Sequence, residues 1–207
     1  AQEPERVYGL VFPCRQCYTA LGPAQGYVIL PRSHGGRVTE IVIQPLTAAN
    51  QADLNRCDNA FNVEAELCLA AEDGRISYTV QGVTPYEKRY GPEVYDAQAY
   101  TGKPDHAAWL AYVNGQLAGQ ILVHENWNRL AIIWDIAVDP PFRRHGVGRR
   151  LIEQALAWAR GRGLPGVMLE TQNINVPACR LYESCGFVLG GFDACLYRGV
   201  MPGTREI

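Results

Sequence analysis

The chain has 207 residues, 47% hydrophobic and 19% charged, which excludes a largely disordered chain and fits one domain with a sizeable core. Nineteen Lys and Arg stand against 21 Asp and Glu, a net charge of −2, so no overall positive excess draws the protein to nucleic acid. No apolar run approaches the roughly 20 residues that span a bilayer, and the stretch from Val7 is broken too early by Cys14-Arg15-Gln16-Cys17 to act as an export signal, so no membrane and a cytoplasmic location are expected.

Residues 1–36 differ from the rest of the chain. Pro13, Pro23, Pro31 and Gly35-Gly36 punctuate short apolar pieces without a sustained period, so this part reads as an N-terminal extension of uncertain order ahead of a domain over 37–207. The seven cysteines cannot all pair within one chain, and they read as reduced thiols. Cys14-x-x-Cys17 has only His34 nearby as a further zinc ligand and lacks the strand-to-helix setting of a redox pair, so no metal is expected.

Val38 to Leu46 predicts a strand, with Thr47 as N-cap of a short helix through Ala60. Ala65–Ala71 and Ile76–Val83 flank Asp73-Gly74 and predict a hairpin. The stretch with Pro85, Pro92 and Pro104 reads as a long loop holding one helical turn. Ala107–Val113 and Gln116–Val123 around Asn114-Gly115 predict a second hairpin, and Leu130–Val138 a central strand buried on both faces. Apolar residues at 147, 151, 152, 155, 156 and 159 mark a helix from Gly146 to Arg162. Val167–Thr171 is a short strand, Val176–Cys185 a helix with Pro177 in its first turn, and Phe187–Tyr197 a last strand or two. The expected fold is α/β (α+β): one mixed, mostly antiparallel twisted sheet with helices on both faces.

The stretch 138–151 carries the chemistry. A buried strand runs through Asp139-Pro140-Pro141 into a loop rich in Arg and Gly that opens directly into a helix. Such a junction binds anions, because first-turn N–H groups point outward and glycines admit a phosphate close to the backbone. Between 142 and 163 stand six arginines and one acid, Glu153, which suits a pyrophosphate or 3′-phosphate. A P-loop would need Lys and Ser/Thr after Gly148, and a dinucleotide fingerprint a small residue where Leu151 stands.

Arg143-x-x-Gly146-x-Gly148 resembles the pyrophosphate loop of the GNAT superfamily of N-acetyltransferases. Asn175, Ala178, Tyr182, Gly186 and Phe187 match the later motif of that family, N-x-x-A-x-x-x-Y-x-x-x-G-F. Gly119-Gln120, Asn126-Trp127-Asn128, Asp135-Ile136-Ala137-Val138, Leu169-Glu170-Thr171-Gln172 and Gly190-Gly191-Phe192-Asp193 resemble the streptothricin acetyltransferases within it. The resemblance runs from about Arg37 to Gly199 and implies a GNAT-like acyl-CoA N-acyltransferase fold. It implies acetyl-CoA as co-substrate and, as acceptor, a small cationic amine, the β-lysine amine of streptothricin. Other GNAT acceptors (aminoglycosides, polyamines, protein or peptide amines) and a catalytically inactive acyl-CoA-binding module stay open, as does a homodimer.

By the same resemblance, Ile136, Ala137 and Val138 pair with the pantetheine arm, and the Val138 N–H meets the acetyl oxygen. Arg143, Arg144, His145, Gly146, Val147, Gly148 and Arg149 hold the pyrophosphate. Asn175 and Ala178 lie by the arm, Asn175 serving equally as a helix cap, and Tyr182 is the general acid near the sulfur. The family's carboxylate or imidazole positions are Ile132 and Trp134 here, which cannot accept a proton. Asp135 and Glu170 are candidate substitutes, although strand alternation turns Asp135 to the opposite face unless a bulge intervenes, and a water relay to a more distant acid would also serve.

A polycationic acceptor calls for a negative pocket. Segment 37–104 carries ten acidic residues against six basic ones; Asp58, Glu64 and Glu66 within it, and Glu125 and Asp193 beyond it, are the candidates. Tyr86, Tyr90, Tyr95 and Tyr100 are candidate pocket walls.

Overall fold

The computed structural model describes residues 10–13, 40–91, 93–195, 204 and 206–207. A six-stranded sheet organises the molecule. Its strands are β1 (Leu10–Pro13), β2 (Ile41–Pro45), β5 (His106–Val113), β6 (Gln116–Glu125), β7 (Ala131–Val138) and β8 (Val167–Thr171), in the order β1-β8-β7-β6-β5-β2. Only β7 and β8 run parallel; every other neighbouring pair is antiparallel. A separate ribbon pairs β3 (Phe61–Glu72) with β4 (Arg75–Lys88). Three helices complete the described fold: α1 (Ala97–Thr101), α2 (Val147–Gly161) and α3 (Val176–Ser184).

Alternation along β6 sorts the core to two faces. Ile121 and Val123 join α2 and α3 in one apolar cluster through Leu151, Ile152, Ala155, Cys179 and Tyr182. Leu122 points the other way and joins Leu46, Leu54, Leu110 and the α1 residues Ala97 and Tyr100. The six apolar positions predicted for the long helix are its buried ones, with Gly148 added. Both hairpin turns place their two central residues at positive φ, Asp73 (48°) with Gly74 (72°) and Asn114 (50°) with Gly115 (79°), as a type I′ turn requires.

Three local expectations are corrected. The helix expected from Thr47 to Ala60 is a single 3₁₀ turn at Gln51–Asp53 followed by a turn at Leu54–Asn55 and irregular chain. Asn50 Oδ1 accepts from the Thr47 N–H at 2.7 Å, and Asn55 is left-handed at φ 68°, so this Asn-rich segment satisfies itself as turns. The expected loop around Pro85 belongs to β4, because the β3–β4 register shifts between Val63 and Ala65 and the irregularity takes up the proline. The expected last strand is reduced, among described residues, to isolated bridges at Phe187 and Gly191. Asp193 Oδ1 accepts from the Cys195 N–H at 2.8 Å and turns the chain there.

Of the N-terminal extension, residues 10–13 lie on the sheet against β8, while Cys14, Cys17 and His34 fall outside the described residues. Among described residues Cys57, Cys68, Cys179, Cys185 and Cys195 are free thiols, no group of three metal-ligating side chains gathers, and no helix is long and apolar enough to cross a membrane.

Candidate active site

The site begins where the sheet comes apart. β7 and β8 pair only at Ala131–Val167, Ile132–Met168 and Ile133–Leu169. Beyond Ile133, β7 continues on β6 while β8 continues on β1, so the two strands diverge into a wedge. The Asp139 N–H donates to the Ala118 carbonyl at 3.0 Å, which fixes the antiparallel phase of the β6–β7 pair. By alternation, Ile136 and Val138 turn their N–H and C=O groups away from β6 and into the wedge. A cavity of about 890 Å³ opens from it, lined by Ile136 and Ala137 on one side and by Leu169, Glu170 and Thr171 on the other.

The divergence coincides with a bulge. Val123 pairs with Ile133 and Leu122 with Asp135, so Trp134 is the extra residue on β7. Simple alternation would put Asp135 on the α2 face. The bulge turns it to the face of Leu122, where it lines the cavity. Asp135 Oδ2 accepts from Gln120 Nε2 at 2.7 Å. A row of rings walls the same face: Tyr100 stands edge-on to His106 at 5.6 Å, His106 stacks on His124 at 5.0 Å, and His124 meets Trp134 at 4.9 Å.

At the far end of β7 the chain enters α2 through a tight loop. Arg144 (φ 67°) and Gly146 (φ 89°) are both left-handed, and α2 has no side-chain cap, so its first-turn N–H groups face outward. A Cβ on Gly146 would meet nothing within 4 Å, and Arg144 and His145 are exposed beside it. Val147 is core and Gly148 lies against Leu181.

Two loop arginines are engaged within the fold. Arg143 donates from Nε to the Val138 carbonyl (2.7 Å) and from Nη2 to the Asp58 carbonyl (3.0 Å), while Asp139 Oδ1 accepts from the Asp58 N–H (2.8 Å). Arg149 donates to the Ser184 carbonyl (3.1 Å) and Oγ (2.8 Å), tying off the C-terminus of α3.

Helix α3 brings Tyr182 to the wedge. The ring is 6% exposed, packs on Phe187 at 6.2 Å between centroids, and lines the cavity. Burial foremost, then Cys179, Asp135 and Cys185, holds its phenol well above the ordinary range, so it keeps its proton at neutral pH. Asn175 lines the cavity and is also the helix cap, its Oδ1 accepting from the Ala178 N–H at 3.3 Å. Ala178 is partly buried against the core.

The carboxylates around the cavity match the set drawn from the sequence only in part: Asp135 and Glu170 belong to it, whereas Glu93 and Asp96 count there only within the acidic segment 37–104. Glu93, Asp96, Asp135 and Glu170 line the cavity, with no Lys or Arg among the described lining residues. Of the expected tyrosines, Tyr90, Tyr95 and Tyr100 are in the wall, while Tyr86 is outside it and exposed. Asp58, Glu64, Glu66, Glu125 and Asp193 do not line the cavity. Asp58 faces Arg89 at 2.6 Å, and the Ala60 N–H and that guanidinium hold its carboxyl below the ordinary value. Glu125 pairs with Arg162 at 3.5 Å. Sequence reasoning gives Gln120 no role, although a glutamine inside the apolar run 117–123 is a visible anomaly.

Comparison with known proteins points the same way. Residues 77–187 match the acetyltransferase (GNAT) family. The chain is 36% identical over 167 residues to streptothricin acetyltransferase A of Bacillus subtilis (strain 168), covering 80% of this chain and 95% of that protein. It is 38% identical over 141 residues to a streptothricin acetyltransferase of Escherichia coli, covering 68% and 78% respectively. A solved structure from Bacillus anthracis str. Ames, assigned as a streptothricin acetyltransferase and crystallised with acetyl coenzyme A, superposes with a TM-score of 0.75 at 43% identity over 81% of this chain and 95% of that one. The wedge between β7 and β8, the glycine turn into α2 and the buried tyrosine of α3 therefore occur in a chain that belongs to the GNAT acetyltransferase family.

Proposed function

We propose that this chain transfers the acetyl group of acetyl-CoA to a primary amine of a polycationic acceptor, the β-lysine amine of streptothricin antibiotics, and thereby inactivates them in the cytoplasm, where the donor is made. Acetyltransferase activity follows from family membership, and the relatives above are streptothricin acetyltransferases. The observation that carries the choice of acceptor is the cavity wall. Four carboxylates and three tyrosines face the space beside Tyr182, with no described Lys or Arg among them, an environment that favours a multiply charged cation. The catalytic unit is taken as residues 37–207, with β1 completing the sheet edge.

The residues present fit an acyl-CoA. The wedge-facing backbone of Ile136 and the Val138 N–H, with Ala137 between them, offer strand-like pairing to the pantetheine arm, with Asn175 in the same cavity wall and Ala178 behind it against the core. The turn from Arg143 to Arg149 offers outward N–H groups, an open Gly146 and the exposed charges of Arg144 and His145 to the pyrophosphate. In this reading the side chain of Arg143 shapes the turn, because both of its bonded nitrogens are committed to backbone carbonyls. Arg149 does the same through Ser184. Bound acetyl-CoA supplies a thioester carbonyl open to attack and a thiolate leaving group.

The chain's own groups handle the protons. Tyr182 Oη, kept protonated by burial, donates to the departing sulfur, and the Val138 N–H stabilises the charge on the acetyl oxygen. Asp135, on the acceptor face by virtue of the bulge, holds the amine and takes its proton; Glu170 across the wedge adds negative potential. Solvent resets both residues after release.

The test is thiol release from acetyl-CoA with streptothricin, an aminoglycoside, a polyamine or a peptide amine as sole acceptor. Turnover with streptothricin exceeding the others at equal concentration supports the proposal. Turnover only with another amine reassigns the acceptor, and coenzyme binding without turnover on any acceptor identifies an inactive module.

A further inference from the structure

A buried glutamine stands between the outer loops and the reaction face. Gln120 is 4% exposed and lies on β6 among Leu117, Ile121 and Leu122. Its side chain is used at both ends. Oε1 accepts from the Asn55 main-chain N–H at 3.0 Å, and Nε2 donates to Asp135 Oδ2 at 2.7 Å. The orientation of the amide is dictated chemically, since a main-chain N–H cannot accept and an ionised carboxylate cannot donate. Asn55 is itself fixed, left-handed at φ 68° and bonded twice to Tyr95: its Nδ2 donates to the Tyr95 carbonyl (2.9 Å) and its Oδ1 accepts from the Tyr95 N–H (3.0 Å). Tyr95 sits between Glu93 and Asp96 in the cavity wall.

We infer that Gln120 is a positioning residue for acetyl transfer: with Asn55 it forms a relay that holds the Asp135 carboxylate, aims it at the acceptor amine, and keeps it in register with the 93–96 wall. This deepens the function proposed above and rests on it. The bulge at Trp134 brings Asp135 to the right face but leaves it at an irregular point of the strand. A short bond from a buried, two-ended amide removes the remaining freedom. The amide is neutral, so it orients the carboxylate without cancelling the charge that a cationic acceptor needs. Other titratable groups share the wall and set the background: Tyr182 on α3, Cys57 beside Asn55, Glu170 on β8, and His106 and His124 on β5 and β6.

Two variants test the relay in the full chain. Gln120→Leu keeps the volume and removes both bonds. Gln120→Glu keeps the acceptor for Asn55 and, while it carries a proton, the donor for Asp135; once that proton leaves, two carboxylates face each other and repel. With wild-type protein turning over its amine acceptor, Gln120→Leu should lower kcat at least tenfold with the KM for acetyl-CoA within twofold. For Gln120→Glu, the ratio of its kcat to wild type should fall by tenfold or more between pH 6 and pH 9. A flat ratio across that range, or kcat within twofold of wild type for Gln120→Leu, overturns the inference. If Gln120→Leu does not fold, the pH ratio of Gln120→Glu decides alone. Should wild-type protein show neither coenzyme binding nor turnover, the underlying reading of the site has failed instead.

Discussion

Tyr182→Phe isolates one oxygen atom. The ring stays buried and keeps its packing on Phe187, so the variant loses a hydroxyl and almost no volume. If the phenol protonates the leaving sulfur, removing it withdraws general-acid assistance of about 10²- to 10⁴-fold in kcat, or about 3–5 kcal/mol of transition-state stabilisation at about 1.4 kcal/mol per decade. The ground state should lose much less, about 1 kcal/mol of folding stability. The assay pairs steady-state thiol release with calorimetric titration of acetyl-CoA. The expected outcome is a kcat reduced by at least two decades, coenzyme affinity within threefold of wild type, and an unfolding midpoint within a few degrees. Because burial holds the phenol protonated, wild-type kcat should also show no alkaline loss from this residue between pH 7 and pH 9. A kcat within threefold of wild type for Tyr182→Phe would remove the tyrosine from the reaction and refute the assignment.

Packing and charge set further outcomes. In Gly119→Ala the new Cβ would sit 2.8 Å from the Ala137 carbonyl oxygen and 3.1 Å from Leu151 Cδ1, so the variant should lose about 1–3 kcal/mol in denaturant unfolding. Gly148→Ala meets the movable end of Leu181 at 2.9 Å, with Val138 Cγ2 at an ordinary 3.6 Å, and gains helix propensity, so it should lose under about 1 kcal/mol; the reverse order would contradict the packing described. Burial, and then Glu183, pushes the Cys179 thiol up to about 12 from 9.0; burial and Glu183 raise Tyr78 to about 12, and burial and Asp53 raise Tyr112 to about 12. These groups fold as neutral species, so their contribution is complete below about pH 9 and is lost as pH rises toward 12. Thermal melts should be level from pH 7 to 8.5 and fall above pH 9, with a shallower fall in Cys179→Ala; an unchanged slope in that variant would deny the thiol its part. Arg144→Ala should weaken acetyl-CoA binding about three- to tenfold at low salt and less at high salt, as calorimetry at two ionic strengths would show; a salt-independent loss would point to structural damage.

Much of the architecture is legible in the chain because its signals are local. Asn114-Gly115 and Asp73-Gly74 demand their turns, and the stripe from Val147 to Ala159 permits only a helix against a sheet. The left-handed turn into α2 is equally plain, since Gly146 and Gly148 stand at a strand-to-helix junction. What escapes depends on register. Whether Asp135 faces the cavity is decided by one extra residue opposite Leu122 and Val123, and nothing in Ile132-Ile133-Trp134-Asp135 announces it. The acidic wall escapes for a similar reason: net charge along 37–104 points to the correct region, but Asp58 is spent on Arg89 and Glu125 on Arg162, while Glu93 and Asp96 do the lining. The segment after Thr47 misleads because the Asn50 and Asn55 side chains bond to main chain, and the Asn55 N–H donates to Gln120 Oε1 in the cavity wall.

β7 and β8 share only three rungs. Past the last shared rung each strand stays paired along its outer edge, β7 to β6 and β8 to β1, so each wall of the slot is braced by a neighbouring strand. Coenzyme should therefore dock with little rearrangement of the main chain, showing a small heat-capacity change for its size and an association rate that depends weakly on solvent viscosity beyond diffusion. In this protein the scaffold absorbs the cost of shaping the site once, during folding.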